Sequence, residues 1–321
     1  MSKGVLVTGG LGLIGSHVSR ALVESGRTPI IYDLRADAGM VPDIADRCTI
    51  VQGSLDDMPR LLGAIEAHRP EAILHFAAQV GQGVESHPWS SLNANLVGTA
   101  AVFEAARLSG IRRVVFPSSK MVYGPVGEDH RHPSYRPVSE NHPREPQDMY
   151  GKLKRAVEDI ASHYAPLYGL DLTALRFGSS FGPGGSGRHK VVLMRLIEAA
   201  IAGQSFRVET GAEQADSFCY SAEAAHAAMI ALGRPEQPGR FRAYNIAGDE
   251  LLSMADIVSI LKDLFPRWQG SVGPGLDYRS IGTGFYYAMD TTRAREELGW
   301  RPRFDFRSAV QDYARLMAVI R

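Results

Sequence analysis

The sequence predicts an α/β protein built on a doubly wound parallel sheet. Two observations predict it. Short, nearly all-apolar segments alternate with longer stretches whose apolar residues recur at helical spacing. The first of these segments runs directly into a glycine-rich turn between Lys3 and Gly15.

Val5–Val7 reads as a buried strand, and Gly9, Gly12 and Gly15 follow at the spacing of a nucleotide-binding turn. The first glycine makes a tight strand-to-helix turn, the second lets backbone approach a pyrophosphate, and the third lets the helix pack on the strand. The pyrophosphate then meets a helix N-terminus, where free N–H groups and the dipole favour negative charge. A glycine motif alone is weak. Here the strand before it and the amphipathic stretch after it (Ile14, Val18, Ala21, Leu22) supply the context.

The remaining elements follow in order. Thr28–Tyr32 is a second strand, ending at Asp33. An acidic residue there accepts hydrogen bonds from an adenosine ribose and repels a 2′-phosphate, which favours NAD over NADP; its other reading is a turn or cap residue. Arg35 is a counter-signal, since a nearby arginine accommodates that phosphate. Cys48–Val51 is a third strand, and Asp56 or Asp57 caps a helix through His68. Ala72–Phe76 is a fourth, leading into Ala77-Ala78-Gln79, where small residues let a cofactor approach the carboxyl end of a parallel strand. A helical pattern spans Trp89 to Ser109, and its apolar run requires a partner for Asn95. Arg112–Phe116 is a fifth strand, ending in Pro117-Ser118-Ser119. Gly124–Met149 lacks periodicity and reads as a long loop of the functional or mobile kind. A helix then runs from Tyr150 to about Tyr168. Further helices are expected over Lys190–Ala202, Ser221–Leu232, Ser253–Phe265 (capped by Ser253 with Asp256), Thr291–Leu298 and Arg307–Ile320.

Composition narrows the class. Thirty-five Lys+Arg balance 35 Asp+Glu, which argues against a nucleic-acid binder driven by bulk charge. Cys48 and Cys219 lie far apart, so no disulfide framework is expected and a reducing cytoplasm is the default. No leader is expected before the first strand, no apolar run approaches membrane-spanning length, and no metal-ligand spacing stands out.

Tyr150 and Lys154, four apart on one helix, share a face. A free tyrosine titrates near ~10 and is a poor base at neutral pH, and an adjacent ammonium lowers that value. Tyr150 then takes a proton from a substrate hydroxyl while hydride leaves, or returns it to a reduced carbonyl, with Ser119 bonded to the same oxygen.

Taken together, Thr8-Gly9-Gly10-Leu11-Gly12-Leu13-Ile14-Gly15, Asp33, His75–Gln79, Asn95 with Gly98-Thr99, Ser118-Ser119 before Val122-Tyr123-Gly124, Tyr150 with Lys154, Leu175-Arg176-Phe177, Phe181-Gly182-Pro183, Tyr244-Asn245-Ile246 and Leu298–Pro302 resemble an extended short-chain dehydrogenase/reductase of the nucleotide-sugar epimerase/dehydratase group. The resemblance covers most of the chain. It implies an NAD-binding Rossmann domain over residues 1–176 and a smaller α/β substrate domain over 177–321, with some chain returning to the first lobe. It implies Ser119, Tyr150 and Lys154 as the catalytic set. Along NAD it places Gly9, Gly12, Leu13, Ile14, Asp33, Leu34, Ser54, Leu55, Phe76, Ala77, Ala78, Gln79, Asn95, Ser118 and Phe177, together with Tyr150 and Lys154. The expected substrate is a sugar or nucleotide sugar, and the expected assembly is a homodimer through the helices at 89–109 and 150–168. Burial within a monomer would give those helices the same pattern.

Departures from the family pattern are informative. Dehydratases carry an acidic group just after the catalytic Ser/Thr; here Lys120 and Met121 stand there, which speaks against dehydration. The arginine of Arg-Asp-Phe, which grips a sugar diphosphate, is replaced by Ala215 or Asp216. Gly284–Tyr287, with Tyr286, stands where another phosphate-binding arginine is common, and Ser179 replaces an asparagine. What remains is 4-epimerisation through a bound keto intermediate, or net dehydrogenation or reduction of a smaller sugar acid, polyol or hydroxy compound. A catalytically silent NAD-binding protein is the alternative of another class. Candidate substrate contacts are Ser179, Lys120 (an anion contact or a plain surface lysine) and Arg188 beside His189 and Lys190 (an anion site or a solvated helix start).

Overall fold

The computed structural model describes residues 4–81, 83–184 and 191–320. Strands β1 (Gly4–Thr8), β2 (Thr28–Asp33), β3 (Thr49–Gln52), β4 (Ala72–His75), β5 (Arg113–Ser119) and β6 (Asp171–Phe177) are separated by helices α1 (Gly15–Glu24), α2 (Met58–His68), the short α3 (Gly83–Ser86) and α4 (Pro88–Leu92), α5 (Gly98–Ser109) and α6 (Met149–Tyr168). Beyond them lie β7 (Ser179–Phe181), α7 (Val192–Ala202), β8 (Phe206–Val208), β9 (Ala215–Tyr220), α8 (Ser221–Gly233), β10 (Arg240–Ile246), β11 (Leu251–Ser253), α9 (Met254–Leu264), β12 (Gly270–Val272) and α10 (Phe306–Val319).

The central sheet is parallel throughout and ordered β3-β2-β1-β4-β5-β6-β10. Its winding reverses between β1 and β4. Such a switch point opens a crevice at the carboxyl ends of the two strands, where ligands bind in open α/β sheets. Side chains alternate faces along β1: Val5 and Val7 pack with α1 and α8, whereas Leu6 packs toward α2, α5 and α6. Burial on both faces explains why these strands are apolar without alternation. A second core, with Phe181, Phe218, Tyr220, Trp268 and Tyr313, lies under the three-stranded sheet β11-β9-β7 and helices α7, α9 and α10.

Three elements differ from the sequence expectation. The helical pattern from Trp89 to Ser109 is interrupted by a π-helical turn over Asn93–Val97, which widens the helix where Asn95 sits. Strand β5 extends through Ser119, so Pro117 and the serines lie within it and pair in register with β6. The loop 124–148 is tied down rather than loose: Val138 is fully buried, donates its N–H to Ala288 O at 2.9 Å and accepts from Asp290 N at 2.9 Å. Elsewhere the caps follow the chemistry expected. Asp57 accepts from Arg60 N at 3.1 Å, and Ser253 and Asp256 form a capping box.

Candidate active site

At Gly9 and Gly15 the glycine turn leaves no room for larger residues. A Cβ on Gly9 would stand 2.4 Å from Ala77 N, and one on Gly15 would stand 2.0 Å from the Gly9 carbonyl oxygen. A Cβ on Gly12 would meet only Gly9 O, so this residue turns an open backbone face to the crevice. Asp33, at the end of β2, accepts from Leu11 N at 3.1 Å and from Arg35 N at 3.3 Å, which ties it to the turn. The same neighbourhood is wired by His75. Thr99 Oγ donates to Asn95 O at 2.8 Å, so it accepts from His75 Nε2 at 2.9 Å. Nδ1 is then left to accept from Thr8 Oγ at 2.6 Å. Burial holds the imidazole neutral, with its pKa down to about 3.

Several residues expected along a cofactor are committed elsewhere. Both polar ends of Asn95 bind the backbone of Gln79, its Oδ1 accepting from N and its Nδ2 donating to O, each at 2.8 Å. Asn95 therefore shapes the Phe76–Gln79 turn. Likewise the Ser118 hydroxyl donates to buried Glu158 at 2.5 Å. Leu34 is exposed, Leu13, Ile14, Ser54, Leu55, Ala77, Ala78 and Gln79 are half-buried, and Phe76 stacks on Phe177 with centroids 6.5 Å apart.

Ser119, Tyr150 and Lys154 meet at the carboxyl end of β5. Asp148 caps α6 by accepting from Gly151 N at 2.9 Å, and this fixes the first turn that carries Tyr150. The Ser119 hydroxyl lies near enough to the Tyr150 phenol to lower its pKa, while Ser119 Oγ accepts from Met121 N at 3.2 Å. Lys154 Nζ lies 5.7 Å from the Tyr150 ring centroid and donates to Pro117 O at 2.8 Å. Burial lowers the Lys154 pKa to about 8, opposed by Glu158 one turn further on. The expected depression of the tyrosine pKa is corrected: burial pushes Tyr150 up to about 12, Ser119 opposes this only in part, and Asp148 adds to it. Glu158 was not legible in the sequence. It is fully buried and accepts from Arg176 at 2.6 and 2.9 Å and from Arg144 at 3.0 Å, so an ion network underlies the helix face that carries Lys154.

The other half of the site is assembled from the residues that depart from the family pattern. Lys120, expected at the surface or facing an anion, is buried and paired with Asp216 on β9. Asp216 also accepts from Ser179 Oγ at 2.5 Å, Ser217 N at 3.0 Å and Tyr287 N at 3.4 Å. Lys120 Nζ stands 4.8 Å from the centroid of the Tyr287 ring, whose hydroxyl donates to Lys120 O at 2.6 Å. Burial lowers the Lys120 pKa despite Asp216, and Arg279 lowers it further. Arg279 is half-buried with no side-chain partner among the described residues. Neither it nor Asp148, whose second oxygen is buried without a partner, was singled out in the sequence. Tyr286 is a structural residue, donating to Asp277 at 2.8 Å. Arg188, with His189 and Lys190, lies outside the described residues.

Known proteins match this architecture along nearly its whole length. The model of the NAD dependent epimerase/dehydratase family matches residues 5–247. A putative UDP-glucose 4-epimerase of Methanocaldococcus jannaschii is 28% identical over 96% of both chains. Among solved structures, the UDP-glucose 4-epimerase of Thermotoga maritima with UDP-glucose superposes with a TM-score of 0.84 at 23% identity, covering 98% of this chain and 99% of that one. The Brucella ovis UDP-glucose 4-epimerase in complex with NAD gives 0.82 at 25% identity, with 98% of each chain covered. The chain belongs to the NAD dependent epimerase/dehydratase family.

Proposed function

We propose that the chain is an NAD-dependent oxidoreductase that moves a hydride between a sugar-type hydroxyl and the nicotinamide, with Ser119, Tyr150 and Lys154 as its catalytic set. The observation that carries this reading is the convergence of Ser119, the Tyr150 phenol on which it acts, and a buried lysine 5.7 Å from the same ring, at the end of a strand beside the switch point. The residues fit the cofactor. Gly9, Gly12, Leu13 and Ile14 would hold the pyrophosphate, and Asp33 the adenosine ribose. The Phe76–Gln79 turn, shaped by Asn95, and Phe177 would flank the path to Lys154. When bound, NAD supplies the hydride acceptor and a positive charge.

Ser119 donates to the reacting oxygen, and Tyr150 accepts its proton as the carbon–hydrogen bond breaks and the carbonyl forms. The proton that burial keeps on Tyr150 makes it ready to act as the acid of the reverse step; the Lys154 ammonium, 5.7 Å from the ring centroid, would favour the phenolate in the forward one. Neither Lys120 nor Met121 provides the carboxylate that dehydration would use. The named relatives support 4-epimerisation of a nucleotide sugar. The buried Lys120–Asp216 pair favours a second reading, net dehydrogenation or reduction of a smaller hydroxy compound. A cytoplasmic location and a homodimer are part of the proposal, the dimer being supported by Trp89, Leu108, Leu167 and Tyr168 exposed on α4, α5 and α6. Tyr150→Phe tests the assignment: turnover should fall about 10²–10⁴-fold with NAD binding retained, and unchanged turnover would sink it.

A further inference from the structure

Buried ion pairs contribute little net stability, because desolvating both charges offsets their attraction, and well-packed apolar residues often do better in their place. The Lys120–Asp216 pair is therefore poorly explained as a structural device. Asp216 is saturated, accepting from four donors on both oxygens. Lys120 is not. Its ammonium has three N–H groups, and among the described residues Asp216 is its only hydrogen-bond acceptor. The Tyr287 ring covers one side of it, and its backbone follows directly on Ser119. Asp148 presents the complementary deficit. One carboxylate oxygen caps α6, and the other is buried without a partner, two residues before Tyr150. The Tyr287 ring lies over the Lys120 ammonium, its hydroxyl donates to Lys120 O, and both Asp148 and Asp216 act electrostatically on it.

From this juxtaposition we infer that Lys120 and Asp148 are specificity-determining residues that bind hydroxyls flanking the reacting carbon, and that the substrate is a compact polyhydroxy compound without a nucleoside diphosphate. The inference rests on the hydride-transfer reading of Ser119 and Tyr150. The charge logic is direct. Asp216 already balances Lys120, so the pair offers hydrogen-bond donors without net positive charge, which suits a neutral oxygen. The free oxygen of Asp148 requires a donor, which a sugar hydroxyl supplies, and both carboxylates repel an adjoining phosphate. Arg279 remains to receive a single carboxylate, so sugar acids belong to the class beside polyols and free sugars.

The test uses the NAD-loaded full chain and saturation-transfer NMR with two probe sets: D-galactose, D-glucuronate, D-gluconate and sorbitol, against UDP-glucose and UDP-galactose. At least one free compound should bind, and the UDP-sugars should not. Lys120→Met and Asp148→Ser, the latter keeping a helix-capping oxygen, should each weaken that compound about tenfold or more, with NAD affinity unchanged. The paired replacement Lys120→Met/Asp216→Asn removes both charges together and keeps an amide oxygen for Ser217 N and Tyr287 N. It should show the same loss of substrate affinity without loss of melting temperature, which separates recognition from folding. Binding of UDP-glucose that survives in wild type, absence of binding by every free compound, or undiminished affinity in the paired variant overturns the inference. Failure of the wild-type chain to bind NAD, or full turnover by Tyr150→Phe, would instead strike the reading on which it rests.

Discussion

His75 and His17 make the fold acid-sensitive by an amount that can be worked out. His75 is 1% exposed and His17 6% exposed, and burial lowers their pKa values from 6.5 to about 3 and about 4. The folded state therefore prefers neutral imidazole, while the unfolded chain takes up protons below 6.5. Stability falls as pH drops through the window between the unfolded and folded values. Each ring loses about 2 kcal/mol between about pH 7 and about pH 5, so the pair loses about 4 kcal/mol. That is a large share of the roughly 5–15 kcal/mol typical of a folded protein. The structural cost is specific for His75: a proton on Nδ1 would face Thr8 Oγ, whose hydrogen already points at that nitrogen. Urea unfolding of wild type, His75→Gln and His17→Leu at both pH values measures it. Wild type should lose about 4 kcal/mol and each variant about half as much. A single variant that loses as much as wild type refutes the assignment of the proton uptake to its histidine.

The remaining predictions concern the cofactor turn and the network beneath the catalytic helix. Gly15→Ala places a methyl 2.0 Å from the Gly9 carbonyl oxygen, a backbone atom that cannot step aside. NAD affinity, read by fluorescence titration, should fall by more than about tenfold. Asp33→Ala should relax the preference for NAD over NADP, visible as a narrowed ratio of kcat/KM; a wild-type protein that already prefers NADP contradicts the role of Asp33. Glu158→Leu leaves Arg176 as an uncompensated buried charge and should cost about 3–5 kcal/mol in chemical denaturation.

What the sequence makes legible is whatever is encoded locally. The glycine spacing, the acidic end of β2, the strand–helix alternation and the Ser253 cap each depend on residues within a turn or two of one another. The Tyr150–Lys154 pair is legible for the same reason, being four residues apart on one helix. The misread residues depend on partners distant in the chain. Lys120 looks like a surface lysine until Asp216 folds against it, 96 residues away. That Asn95 needs a partner is legible, but that the partner is the backbone of Gln79 depends on the π-helical turn. Glu158 has an ordinary helical position, and only the arrival of Arg144, Arg176 and Ser118 makes it the anchor of that helix. The direction of the Tyr150 shift was missed for a related reason, since spacing shows the neighbouring charge and not the depth of burial.

Gly178 alone separates the last residue of β6 from the first residue of β7, and a Cβ there would come within 2.7 Å of Ser217 O. Phe177 stands in register with Ser119, and Ser179 holds Asp216. Two extended residues span about 7 Å, so the chain itself sets a short, inextensible gauge between the strand end that carries Ser119 and the strand that carries Asp216. Lengthening that gauge by one inserted residue would shift every contact across the gap, whereas exchanging side chains on either face leaves its length untouched. New specificities on this frame are therefore reached by changing which groups face the gap, because its width is a property of the covalent backbone.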